Sequence, residues 1–250
     1  MEDFTMAIKV TVWNEGLHDQ TNKRVKELYP NGMHGCIKEF LEKDENIIVR
    51  TATLRGPDTL TDELLGDTDV LIWWGHMLHD EVPDELVNKV AHRVMCEKMG
   101  FIPLHSAHKS KPFQKIVGTT GDLSWGDDCL EIVWNMLPAH PIAAGIPEHF
   151  HLEREEMYGE PFTAPQPDEL VFTSWYEDGH IFRSGLCYYR GLGKVFYFQP
   201  GHETNPIFHN EYVQKIIRNA VYWAAPCDTL VPTPKCPQVR SVVDEIRNAK

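Results

Sequence analysis

A doubly wound α/β domain on a mostly parallel sheet is the fold class this sequence predicts, and three observations carry it. Strand-like and helix-like segments alternate as β-α-β-α-β-α-β through the first hundred residues, an order that returns each strand parallel to the last through right-handed crossovers. One segment, DVLIWW at Asp69 to Trp74, is apolar almost throughout, as a strand covered on both faces must be. Finally, 42% of the 250 residues are apolar, enough to fill one large core.

Ala7 to Trp13 (AIKVTVW) is rich in β-branched residues and stops at polar Asn14 and Glu15, so it reads as a buried first strand opening into a loop. A helix follows Asn31-Gly32, with Ile37, Phe40 and Leu41 on one face. Asn46 to Ala52 is the second strand and Leu60 to Leu65 a short helix; the third strand, Asp69 to Trp74, stops at Gly75-His76. The helix from Pro83 to Lys98 has proline near its start, Leu86, Val87, Val90 and Val94 at helical spacing, and Gly100 just past its end. Phe101 to His105 is the fourth strand. From Gly118 to Pro167 the rhythm gives way to proline-, glycine- and tryptophan-containing pieces, an irregular insertion with one or two extra strands. Leu170 to Tyr176, His180 to Tyr189 and Lys194 to Phe198 are strands again, the last two joined by a turn at Arg190 to Gly193. Glu211 to Trp223 closes as a helix with Val213, Ile216, Ile217, Ala220 and Val221 on one stripe. One domain thus occupies residues 1–225, and 226–250 form a proline-rich tail that packs on the domain or on a partner subunit.

A formal charge of −13 opposes binding to nucleic acid, which needs clustered Lys and Arg. No apolar stretch reaches the roughly 20 residues that span a bilayer, and no basic leader precedes a greasy core, so neither a membrane span nor a signal peptide is expected. Met6 is an alternative start. Six cysteines lie scattered without CxxC pairs, which suits reduced thiols in the cytoplasm. Exposed apolar positions on the closing helix, with the tail, lead to the expectation of a homo-oligomer.

The unusual count is 13 histidines. Open parallel sheets bind ligands at the carboxyl ends of their strands, where winding reverses. Strand one delivers Asn14, Glu15 and His18 there, strand three His76 and His79, strand four His105, Ser106 and His108, and the strand ending at Phe198 delivers His202 and Glu203. Imidazole serves as acid, base or metal ligand, so the candidates for catalysis are His105, His202, Glu203 and Ser106. Glu15, His34, His76, His79 and His108 are candidates for substrate binding. A divalent metal such as zinc would take His76, His105 and His202 with a carboxylate from the acidic run at Glu155 to Glu160. Without a metal, neutral imidazoles beside Trp73 and Trp74 could bond sugar hydroxyls while an indole stacks on the ring. His140, His149, His151, His180 and His209 lie in turns or strand edges and are assigned ordinary structural roles. GxGxxG, GxxxxGK[ST], HExxH and GxSxG are all absent, which removes dinucleotide, P-loop, zincin and hydrolase-elbow readings.

Four segments taken together, DVLIWWGHMLHDEV (Asp69 to Val82), GFIPLHSAHKSKPF (Gly100 to Phe113), EREEMYGEPF (Glu153 to Phe162) and GKVFYFQPGHET (Gly193 to Thr204), resemble the ThuA family of trehalose utilisation from about Ala7 to Trp223. That resemblance implies a flavodoxin-like sheet of the class I glutamine amidotransferase kind. It also implies a sugar or keto-sugar ligand, and a functional association with a sugar dehydrogenase. In amidotransferases a cysteine nucleophile follows one strand and a histidine with a nearby glutamate follows a later one. His202 and Glu203 match the second part, whereas the nucleophile position falls on His105 or Ser106, so glutaminase chemistry is not expected. On the same resemblance Glu155, Glu156, Tyr158 and Glu160 would line the sugar side. Three readings stand: an enzyme of carbohydrate catabolism using histidine acid/base or metal-assisted chemistry, a non-catalytic sugar-binding or regulatory module, and a Ser106 hydrolase with His202 as base.

Overall fold

The computed structural model describes residues 7–227 and 246–248; Met6 and most of the 226–250 tail lie outside the described residues. Nine strands form one sheet in the order β2-β1-β3-β4-β9-β8-β7-β5-β6. β1 (Ile8–Asn14), β2 (Ile47–Thr53), β3 (Val70–Trp74), β4 (Gly100–Leu104) and β9 (Gly193–Phe198) make its parallel half. The sheet is flanked by α1 (Leu17–Thr21), α2 (Lys23–Leu28), α3 (Gly32–Leu41), α4 (Asp62–Gly66), α5 (Asp84–Glu97), α6 (Lys111–Val117) and α7 (Glu211–Ala224).

The doubly wound reading holds because the central parallel strands are apolar toward both faces. Val70, Ile72 and Trp74 of β3 join the core beneath α3 and α7, while Leu71 and Trp73 join the one beneath α5 and α6. β9 divides likewise, Phe196 and Phe198 to one side and Val195 and Tyr197 to the other. This alternation also corrects one expectation. Trp73 and Trp74 point to opposite faces, both buried: Trp73 stacks on Trp13 with centroids 3.7 Å apart, and Trp74 donates Nε1–H to the Gly201 carbonyl at 3.0 Å. Neither indole can stack on a ligand.

The irregular insertion is more regular than its composition suggests. It holds β5 (Ser124–Asn135) and β6 (His149–Gly159), a long antiparallel pair that extends the same sheet beyond β7 (Glu169–Tyr176) and β8 (Ile181–Arg190). Two register shifts, between Gly126 and Asp128 and between Cys129 and Glu131, break the two-residue period that marks a strand. As a result four of the eight pairings are antiparallel, and the parallel half is built from β1 to β4 together with β9 from late in the chain.

α6, unanticipated from the sequence, is capped by the Ser110 side chain, which accepts the Phe113 amide, and ends at left-handed Gly118. α5 ends at left-handed Lys98, two residues before the glycine expected to stop it. Gly100 serves close approach instead: a Cβ there would lie 2.6 Å from the Ala224 carbonyl oxygen at the end of α7. Among the described residues no helix is long and apolar enough to cross a membrane.

Candidate active site

The carboxyl ends of β1, β3, β4 and β9 meet at one rim, and β6 from the antiparallel half reaches the same place. The rings of His76, His105 and His202 converge there, with centroids 6.2, 6.3 and 5.4 Å apart pairwise. His18, at the start of α1, joins them 5.2 Å from His76. A cavity of about 500 Å³ opens beside them, lined among others by His76, Ser106, Glu156 and Tyr158.

Glu203, almost fully buried, is surrounded by imidazoles: His76 Nδ1 at 3.3 Å, His18 Nε2 at 3.7 Å and His202 Nε2 at 3.7 Å. Burial alone would raise its carboxyl, but His76, His202 and the nearby His105 pull it down to about 2. In return, Glu203 offsets the burial of His76 and holds that ring above the usual histidine range. Glu15, expected to bind substrate, has a different task. Its carboxylate accepts the amides of His76, Met77 and Leu78 at 2.7 to 3.0 Å, which fixes the turn that carries His76.

His105 departs from the role expected of it. It sits at φ 50, a left-handed turn immediately after β4, and is sealed from solvent. Nδ1 lies 3.0 Å from the Gln199 carbonyl, which can only accept, so Nδ1 carries a hydrogen. Nε2 faces Glu156 Oε2 at 3.1 Å, so a proton taken up by this pair is held between them. Burial pulls His105 toward its neutral form against the attraction of Glu156. Burial would raise Glu156, but His105 on one side and His202 Nδ1 at 3.7 Å on the other hold its carboxyl well below the usual range. Glu156 is therefore the cavity-facing member of this group, and His105 stands behind it.

Glu155, next along β6, is buried and accepts the amides of His202 at 2.9 Å and Gly201 at 3.3 Å, so it positions the turn and has no face to a ligand. Burial and the equally buried Glu131 push it well above the carboxylate range. Ser106 lines the cavity, but its hydroxyl pairs with the Tyr158 hydroxyl at 3.1 Å, which stands between it and His105 Nε2; among the described residues no imidazole bonds Ser106 directly, and the hydrolase reading lacks its base.

Other expected residues are placed away from the centre. His34 pairs with Asn14 and Asp19 and is not among the residues lining the cavity. His108 lines the cavity but is committed through Nδ1 to the Gly121 carbonyl at 2.6 Å, and burial lowers it to about 3. Gly121 is left-handed at φ 70, and a Cβ there would lie 2.1 Å from the His108 carbonyl oxygen. His79 also lines the cavity, lowered by burial to about 4. Glu160 does not face the site; it forms a fork with Arg183, whose Nη2 also donates to the Phe162 carbonyl at 2.8 Å. Arg183→Ala should strip partners from Glu160 and that carbonyl at once and cost about 2 kcal/mol or more, measured by urea unfolding.

The metal set expected from the sequence is also rearranged. Donor atoms within 4.8 Å of one another form two separate groups at this rim, His18/His76/Glu203 and His105/Glu155/His202, instead of His76/His105/His202. Two contributors escaped sequence reasoning. Trp125, 71% exposed, stands on the cavity wall, and Asp128 faces His202 Nδ1 at 3.6 Å. Both come from β5, where the bulges hid the strand.

A family model described as ThuA, trehalose utilisation, matches residues 9–224. No curated protein matches the chain. Among solved structures, a protein described as ThuA-like from Parabacteroides merdae is similar over 91% of this chain and 94% of its own, with TM-score 0.65 and 14% identity. A second, from Bacteroides uniformis, is similar over 86% and 90%, with TM-score 0.60 and 14% identity. A glutamine amidotransferase from Thermotoga maritima is similar over 86% and 97%, with TM-score 0.54 and 11% identity. At such identities the likeness is one of fold.

Proposed function

Since this chain belongs to the ThuA family of trehalose utilisation, and so to carbohydrate metabolism, we propose that it is an enzyme acting on a disaccharide or keto-sugar derivative. The observation that supports this reading is the placement of Glu156, a carboxylate lining a cavity of about 500 Å³ with imidazoles on two sides of it. Glu156 is the group to take a proton alpha to a sugar carbonyl, with His105 and His202 behind it to share that proton. The His18, His76 and Glu203 cluster beside it is the electrophilic side, and the exposed Trp125 indole offers a face for the sugar ring. A sugar dehydrogenase is the class of enzyme that would supply such a carbonyl.

Glutaminase activity is not part of the reading. His105 stands at the turn where a thiol would be needed, and no cysteine is among the residues lining the cavity. The thiols of Cys36, Cys96, Cys129 and Cys187, none of them in a disulfide, suit a reducing, cytoplasmic compartment.

Incubation with trehalose and with a keto-disaccharide, followed by carbohydrate chromatography, tests the proposal. Conversion of the keto form, lost in His202→Ala, is the expected result. Binding of the sugar without product over long incubation would instead establish the module reading.

A further inference from the structure

We propose that His18, His76 and Glu203 bind a divalent transition-metal ion of the zinc type, with the fourth position open to water or a substrate oxygen. The donor atoms of all three lie within 4.8 Å of one another. His76 Nδ1 is 3.3 Å and His18 Nε2 3.7 Å from the two oxygens of Glu203. Neighbouring ligands around tetrahedral zinc, each about 2.0–2.2 Å from the ion, are spaced about 3.3–3.5 Å, so each imidazole stands near one such spacing from its own oxygen of Glu203, and the carboxylate would turn both oxygens toward the ion. Two imidazoles with one carboxylate also suit zinc by ligand type.

The surroundings favour this group over the others. His18 Nδ1 has no hydrogen-bond partner, although it is buried, and it lies 3.8 Å from Glu15 Oε1. A carboxylate behind the second ring nitrogen is the arrangement that orients a ligating histidine, and Glu15 also holds the backbone of His76. In the second group, His202 Nδ1 and Glu155 Oε2 also lack hydrogen-bond partners, but both ring nitrogens of His105 are engaged, Nδ1 with the Gln199 carbonyl and Nε2 with Glu156 Oε2 at 3.1 Å, so that ring has no nitrogen to give an ion. The third cluster, His140/Glu169/Cys187, fails differently. His140 Nδ1 accepts the Ile142 amide at 3.2 Å, so Nε2 carries the hydrogen and faces Glu169 as a donor.

The site stands independently of the sugar chemistry; only the role of the bound ion, to polarise a substrate carbonyl on the cavity side of His76, rests on the function proposed above. The test is therefore made on metal content. The full chain, purified without an affinity tag and stripped with a chelator, is titrated with Zn²⁺ by calorimetry, and its zinc is counted by mass spectrometry. One equivalent per chain is expected, with affinity falling at least about a hundredfold in His18→Ala and in Glu203→Gln and unchanged in His140→Ala. Absence of stoichiometric binding overturns the proposal. So does binding that survives His18→Ala and Glu203→Gln but is lost in His105→Ala. His18 belongs to a helix with no buried residues, so its variant keeps the test valid if Glu203→Gln does not fold.

Discussion

Glu156→Gln is expected to lower turnover of a sugar substrate by about 10²–10⁴-fold while the chain still folds. Glutamine has nearly the same shape but cannot take a proton, and the position lies on the cavity wall outside the two hydrophobic cores. Circular dichroism of the variant, alongside its kcat, separates lost chemistry from lost structure. His105→Asn gives a second readout. His105 is sealed from solvent, so it acts through Glu156, whose carboxyl it helps to hold low. Without that ring the carboxyl should rise toward its ordinary range, and the acidic limb of kcat/KM should move to higher pH. A purely structural role for His105 would lower activity and leave the limb in place.

The second large effect concerns stability. Glu131 lies on β5 behind the site, fully buried, with Ser174 donating to one oxygen and none to the other. Burial pushes its carboxyl far above the usual range. At pH below the ordinary carboxylate range, folded and unfolded chains both hold the proton, and the group adds no pH dependence. As pH rises through that range the unfolded chain releases its proton while the folded one keeps it. The stability is lost progressively until the folded carboxyl ionises as well. Glu131→Gln keeps an acceptor for Ser174 and removes this dependence. The variant should therefore gain on the natural chain as pH rises across this window, by on the order of 1 kcal/mol per pH unit. Urea unfolding at pH 5.5 and 7.5 measures it; an equal difference at the two values would show that Glu131 ionises normally when folded.

Much of this arrangement was legible before any coordinates. Glu15, His18, His76, His105, His202 and Glu203 each follow a strand whose apolar run ends just before them, and parallel strands with right-handed crossovers bring such ends to one rim. What could not be read was the partner of each ring. That Glu203 stands among three imidazoles depends on how the ends of β1, β3 and β9 pack together; that Glu156 stands between two depends on how β6 reaches them across the antiparallel half, and a bulge in β5 with another in β6 erases the periodicity that would have announced that pair. The same limit hid Trp125, Asp128 and Glu131, all on that strand.

Winding order, the identity of the strand-end histidines and the rim at which they gather are all written in the chain. These depend on local periodicity and on chain order, which each segment carries within itself. Which imidazole faces which carboxylate, that Trp73 and Trp74 are core, that Glu160 belongs to Arg183, and that His105 lies beneath Glu156 emerge from packing alone. Those outcomes rest on register between segments far apart in the chain, where a shift of one residue turns every side chain to the opposite face.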